Sequence, residues 1–236
     1  RASFILLVIF ALTVGTATAR LLPETLHKPT PGPFSLAAMG RLFGSVLVHR
    51  SFLAHLGIVI TTFVGLYAWV SGSSIVIQGI YGLSPLAFGA TYAIGSSGYL
   101  LGTNIAVRVV MRHGLDRMIG IGTALMAAGG LMMVAVVTLG LANVIWLVAG
   151  MTIYLTGMGI SMPQTLAGAI TPFHDRAGTA SSLLGFSQQS TASIAAAIIG
   201  AYLGSSAWPV AGTVAAMGCL AFLFWTLTRR VRNAVY

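Results

Sequence analysis

The stretch RSFLAHLGIVITTFVGLYAWVSGSSIVIQGIYGLSPLAFGATYAIGSSGYLLGTNIAVR, residues 50–108, decides the fold: between its two terminal arginines run 57 residues without an Asp, Glu, Lys or Arg. A helix needs about 20 residues to cross roughly 30 Å of hydrocarbon, so the stretch is too long for one crossing and fits two. Gly, Ser and Pro in GIYGLSP, residues 79–85, mark the turn between them. The same grammar repeats downstream. Another 57 uncharged residues separate Arg117 from Asp175, and 52 separate Arg176 from Arg229, with turn signals at LGLAN (139–143) and GSSAWP (204–209). Spans are therefore predicted at 53–77, 86–107, 118–138, 144–170, 178–203 and 209–228, and the apolar run 2–19 makes a seventh.

Composition agrees. With 57% hydrophobic residues, 6% charged residues and a mean hydropathy of +0.94, the chain is far from the roughly 25% charged content of a soluble domain. It is an all-α membrane protein whose first partner is the lipid bilayer. The formal charge of +9 does not point to nucleic acid, because the basic residues are not clustered on one solvated face. They are segregated by side instead. Arg20, Lys28, Arg41, Arg50, Arg108, Arg112, Arg117, Arg176, Arg229, Arg230 and Arg232 all fall on one side of the predicted topology, against Arg1 on the other. The positive-inside rule makes that side, and the C-terminus, cytoplasmic. Basic residues follow the first apolar run rather than precede it, unlike a signal peptide. The chain opens at the edge of a span without Met, which predicts a piece of a longer protein.

Polar residues are shared unevenly among the spans. Tyr67, Ser71, Ser74 and Gln78 recur at i, i+4, i+7 and i+11, one face of a helix. Tyr92, Ser96, Tyr99 and Thr103 repeat the spacing, with Asn104 beside them. The span 144–170 offers Tyr154, Ser161 and Thr165 with Gln164, and the next carries Ser187, Gln188, Gln189 and Ser190. Spans 118–138 and 209–228 hold only scattered polar residues, such as Thr123, and are predicted to face lipid. Hydroxyls can bond the preceding turn of their own helix or pack between helices. Primary amides have more donors and acceptors than one helical turn satisfies, so Gln78, Asn104, Gln164, Gln188 and Gln189 argue more strongly for a cavity or an interhelix role. The GxxxG pairs Gly98/Gly102 and Gly200/Gly204 read as close helix packing.

The run AGTASSLLGFSQQSTASIAAAIIGAYLGSSAWP (177–209), with its AGTASSL and SAWP tracts, resembles helix 11 of the Bcr/CflA branch of the major facilitator transporters. RLLPETL (20–26) is similar to the end of helix 6 in that family, and QGIYGLSPLAFG (78–89) to its turn between helices 7 and 8. The resemblance implies a C-terminal bundle of six helices in two inverted three-helix repeats, helices 7 to 12, at residues 51–236. Residues 1–19 would be helix 6, closing a missing N-terminal half, and residues 20–50 the cytoplasmic linker. In that linker Pro29, Pro31 and Pro33 forbid a long helix, whereas 35–48 can form a short amphipathic one on the membrane surface. One departure is Ser74, which stands near where many relatives carry Pro. The loop RVVMRHGLDR (108–117) is similar to the family's gating motif, with Arg117 beside an Arg112–Asp116 pair.

Function follows from the resemblance as an expectation: efflux of small amphiphilic compounds by proton antiport with alternating access, in the bacterial inner membrane, with the proton gradient in place of any cofactor. Glu24, Asp116 and Asp175 all fall outside the predicted spans, so the coupling acids are expected upstream. His55 reads as an interfacial residue of a first helical turn. An importer of a small metabolite is the alternative within the same fold. A remote alternative is an intramembrane serine protease, through the GSSG tetrad between Gly95 and Gly98, but no later span supplies a basic partner for its serine. No His, Cys or acidic cluster has metal-ligand spacing.

Overall fold

The computed structural model describes residues 2–21, 35–140, 143–202 and 206–233. Glu24, Lys28, the linker prolines and Gly204 lie outside the described residues. The chain folds as two units, residues 1–37 and 38–236.

The first unit holds α1, Ala2–Leu21. Every described side chain of α1 is exposed, and its hydroxyls turn inward on the helix: Thr13 donates to the Ile9 carbonyl at 2.8 Å and Thr16 to that of Leu12. A helix apolar all round with its polar groups satisfied internally is suited to hydrocarbon.

The second unit is a helical bundle entered through α2, Leu36–Leu47, the short amphipathic helix expected after the prolines. Then come α3 (Arg50–Ser74), α4 (Pro85–His113), α5 (Leu115–Thr138), α6 (Val144–Ile170), α7 (Ala177–Tyr202), α8 (Trp208–Leu227) and a closing turn of helix, α9 (Arg229–Asn233). Caps set the starts. Ser84 accepts from the Ala87 amide ahead of Pro85, and Asn143 from that of Ile145.

Two boundaries differ from the sequence reading. The segment predicted as a turn from residue 79 is helical as far as Ile80, because α3 continues as a π-helix over Ile75–Ile80, directly after Ser74. The predicted loop 108–117 shrinks to a single residue: Gly114, at φ +78°, both caps α4 and opens α5, a conformation glycine adopts without steric cost.

Among the described residues five stretches are long and apolar enough to cross a membrane: Phe4–Leu21, Arg50–Ile80, Leu115–Thr138, Val144–Tyr202 and Trp208–Leu227. Val144–Tyr202, at 59 residues, holds two crossings, since the 3-10 turn Thr171–Arg176 divides α6 from α7. The seventh expected crossing, α4, is diluted by its Ser, Thr, Tyr and Asn residues, yet its 29 residues span about 43 Å, more than the hydrocarbon thickness.

Helices consecutive in sequence mostly do not pack on each other. Helix α3 packs on α8, α7 and α6; α6 packs on α5, α4 and α3; α5 and α8 pack together. Exchanging α3, α4, α5 for α6, α7, α8 leaves this pattern unchanged. The irregular segments obey the same exchange, the π-helix following α3 and the 3-10 turn following α6. This is the signature of two intertwined three-helix repeats. Helix α5 is not wholly a lipid-facing helix as expected: half of its apolar span is buried, and Thr123, read as facing lipid, is fully buried and donates to the Ile119 carbonyl.

Glycine makes these crossings close. A Cβ on Gly122 or Gly157 would collide with the other's carbonyl oxygen, and one on Gly129 would fall 2.5 Å from the Gly150 carbonyl oxygen. Gly98 and Gly102 meet the backbone carbonyls of Thr152 and Thr156 in the same way, as their GxxxG spacing predicts. Gly200 has nothing within 4 Å of its Cβ position, so it makes no close approach within this bundle, and its partner Gly204 lies outside the described residues; α7 turns a different face to α3. Gly157→Leu should lower stability by about 1–3 kcal/mol or more, because the added atoms meet backbone that cannot yield. Gly185→Ala, in open space, should be neutral or gain up to about 1 kcal/mol. Thermal unfolding in detergent compares them, and equal effects would refute the packing argument.

Candidate functional site

Because α3 and α4 scarcely touch while both pack on α6, a cleft of about 380 Å³ opens between them. Helix α6 forms its floor with Leu155 and Met158; α3 supplies Leu66 and Trp69, and α4 supplies Tyr92, Ser96 and Tyr99. Gly95, buried, thins the α4 wall. Tyr92 is braced by Phe88, their ring centroids 5.7 Å apart. The lining carries no formal charge. It offers aromatic faces, a thioether and a few hydroxyls, groups that hold flat apolar molecules or cations by dispersion and cation–π attraction.

The cavity candidates singled out from sequence divide into five groups. Tyr92 and Ser96 line the cleft. Tyr67, Ser71 and Ser74 lie along a partly exposed face of α3 that does not line the cleft, and Gln78, half-buried, lies in the π-helix that continues it; the Ser71 hydroxyl donates to the Tyr67 carbonyl at 2.7 Å, and Tyr67 packs against Phe63. Gln188, half-buried, and Gln189, exposed, lie on α7, which packs on α3 rather than on α4 or the cleft. Asn104 is exposed on α4, its amide donating to the Leu100 carbonyl at 2.8 Å.

Tyr154 and Gln164 sit in the packed core of this bundle instead. Tyr154 is fully buried and donates to the Thr62 carbonyl at 3.0 Å, where Gly65 leaves room for its hydroxyl. Gln164 gives its amide to the Ile160 carbonyl of its own helix at 2.9 Å. Trp69, Tyr99, Leu66 and Met158 are among the lining residues that the candidate set left out. Tyr99 was visible in the α4 periodicity, whereas Trp69 lies off the α3 stripe and joins the site only because three helices converge there.

The gating residues rearrange more. Asp116 pairs not with Arg112 but with Arg232 on α9, Nε to Oδ1 2.8 Å. Arg232 is fully buried; its remaining nitrogens donate to the Thr228 hydroxyl and, at 2.7 Å, to the Trp225 carbonyl. Its guanidinium carbon lies 6.0 Å from the Trp225 ring centroid, and that indole donates to the Asp116 carbonyl at 3.0 Å. Arg112 and Arg117 are exposed. A pairing one helical turn apart was the simplest reading, but Gly114 ends α4 between them and turns Asp116 toward α8 and α9. His55, expected at the interface, is fully buried in α3, with Nδ1 2.7 Å from the Ser51 carbonyl and within electrostatic reach of Arg232 and Asp116.

In the GSSG tetrad the glycines are packed and the second serine is bonded to its own helix. Gly95 and Gly98 are buried, Gly98 against Thr152, and Ser97 donates to the Ile94 carbonyl at 2.7 Å.

No family model matches the chain. Individual proteins do. The chain is 30% identical, over 98% of its length, to an uncharacterised MFS-type transporter, YdgK, of Bacillus subtilis. It is 25% identical over 87% of its length to a bicyclomycin resistance protein homolog of Haemophilus influenzae, and 26% identical over 78% to multidrug resistance protein D of Escherichia coli. It covers 58%, 52% and 45% of those proteins, so it spans about half the length of the relatives it matches. Together with the exchange symmetry of the helices, these matches define a multi-pass helical membrane protein whose relatives are named as transporters and resistance proteins rather than as enzymes. Over 98% of its length the chain is related to a transporter of the major facilitator type.

Removing one partner of a buried ion pair strands the other. Asp116→Ala should therefore cost about 3–5 kcal/mol, whereas Arg112→Ala, at an exposed position, should stay within about 0.5 kcal/mol. Denaturant unfolding of the two variants measures this, and comparable losses would mean that Arg112 shares the carboxylate.

Proposed function

We propose that this chain forms the C-terminal half of a bacterial exporter of small aromatic or amphiphilic compounds, driven by proton antiport in the inner membrane. In this reading α1 is the sixth helix of a twelve-helix transporter, residues 20–50 are the cytoplasmic linker, residues 51–236 are helices 7 to 12, and the C-terminus is cytoplasmic. The missing N-terminal half is the partner against which this bundle rocks in alternating access.

The observation that carries the proposal is the uncharged aromatic cleft between α3, α4 and α6, in a chain whose relatives include proteins named for bicyclomycin and multidrug resistance. Neutral or cationic compounds suit such a lining, since an anion would find no countercharge. The partly exposed polar faces formed by Tyr67, Ser71, Ser74 and Gln78, by Asn104, and by Gln188 and Gln189 would complete the cavity wall against the other half. Asp116 and Asp175, the carboxylates of the described residues, lie at a helix start and in the 3-10 turn. The proton-carrying acids are therefore assigned to the other half.

In a full-length transporter carrying this half, Trp69→Ala and Tyr92→Ala should each change resistance to aromatic cations by about 2- to 30-fold, the worth of one desolvated cation–π contact. Resistance to non-aromatic compounds should move less. Leu131→Ala, at an exposed position of α5, is the control. Minimum inhibitory concentrations in a drug-sensitive host, read beside membrane abundance, decide the matter. An unaltered resistance pattern at unchanged abundance would refute the cleft as part of the path, and drug accumulation instead of exclusion would favour import.

A further inference from the structure

Helix α2 is fastened to the bundle at a corner with its own chemistry. Inside the 3-10 turn Phe173 leaves helical geometry, at φ −122° and ψ 44°. This kink carries its ring into edge contact with His49 at 5.1 Å and with Phe52 at 5.9 Å. Arg176, at the end of the turn, donates to the Ser45 hydroxyl of α2 at 3.0 Å. Between these ties lies a pocket of about 370 Å³, separate from the cleft, whose polar lining is Ser45, His49, His174, Asp175 and Arg176.

Around the pocket, on α2 and in the 3-10 turn, arginines outnumber carboxylates. Arg176 spends one donor on Ser45, and a guanidinium has five. Arg41 lies one turn before Ser45 on the same face of α2, and Arg50 adjoins His49. Asp175 is the opposing charge, and it forms no ion pair among the described residues. Beside the pocket the surface changes character: Met39, Leu42, Leu47, Val48 and Leu53 are all exposed. A pocket flanked by arginines beside exposed apolar residues, where an amphipathic helix meets the end of a span, matches a molecule with an anionic head and hydrocarbon tails.

We propose that this corner binds an anionic phospholipid, its phosphate held by Arg176, His49 and His174, and its acyl chains laid along the exposed apolar residues of α2 and the start of α3. The lipid would clamp α2 against the turn between α6 and α7. An inorganic phosphate shares the head-group chemistry but gains nothing from the shelf, so the two sources can be separated.

Native mass spectrometry of the purified chain in detergent, titrated with phosphatidylglycerol or phosphatidylcholine, tests this. One phosphatidylglycerol should be retained in preference by about fivefold or more, the worth of one basic side chain at a membrane surface. Arg176→Gln should abolish the preference, and Asp175→Asn should strengthen retention. Arg112→Gln, which removes the same charge from the end of α4, should leave it unchanged. If Arg176→Gln unfolds the chain, His174→Gln and Asp175→Asn carry the test. Equal retention of both lipids, or equal losses in Arg176→Gln and Arg112→Gln, would overturn the site. Displacement of phosphatidylglycerol by excess inorganic phosphate would show an anion site without a lipid role and would overturn it too.

Discussion

Between α5 and α6 the closest atoms are backbone atoms. Gly122 faces Gly157 and Gly129 faces Gly150, two reciprocal contacts seven residues apart on antiparallel helices. In hydrocarbon there is no hydrophobic force to press helices together, since lipid tails are as apolar as leucine; close packing, interhelical hydrogen bonds and lipid entropy have to do it. Packing grows with the length of backbone brought into contact, and any side chain at those four positions would wedge the pair apart. The same constraint recurs where Gly98, Gly102 and Gly159 bring α4 onto α6, and where Gly130 and Gly218 bring α5 onto α8. Helix α6 therefore sits against two neighbours through glycine and against a third, α3, through the Tyr154–Thr62 hydrogen bond.

That arrangement dictates the cleft. With α6 holding α4 on one side and α3 on another, α3 and α4 cannot also close on each other, and the gap between them is left for Trp69, Tyr92 and Tyr99 to line. Because all three helices of each triplet make their main contacts with the other triplet, neither buries itself alone. The π-helical end of α3 and the 3-10 end of α6 fall at equivalent places in the two repeats. Both are points where a long, tightly held helix departs from α geometry before the chain returns.

Much of this was legible in the sequence because charge is so costly in lipid: three long uncharged stretches fix the number of crossings, and the glycines at 98 and 102 announce a close contact. Other features depend on where distant segments return. Arg232 lies 116 residues from Asp116, and nothing local distinguishes it from Arg112 as a partner. Tyr154 and Gln164 share helical spacing with cavity candidates, but periodicity reports which residues share a face and not what that face meets. Trp69 illustrates the converse, since it lies off a stripe defined within one helix and yet lines a site built by three. Gly200, with open space at its Cβ position, shows that a small residue permits an approach without compelling one.

The buried arginine is the costliest group in the bundle, and its surroundings explain how it is tolerated. Gly120 lacks a side chain where the Trp225 ring lies against it. With the indole seated there, its nitrogen reaches the Asp116 carbonyl, and its own carbonyl and ring receive the Arg232 guanidinium. Asp116 in turn stands in the first turn of α5, where the helix dipole favours a carboxylate even before the arginine arrives. A hydrophobic residue of similar volume in place of Arg232 could be as stable, but it would make no directional bond to α5. The ion pair instead fixes the registry of α8 and α9 against α5, beside His55 of α3, and so sets which faces of the two triplets can meet.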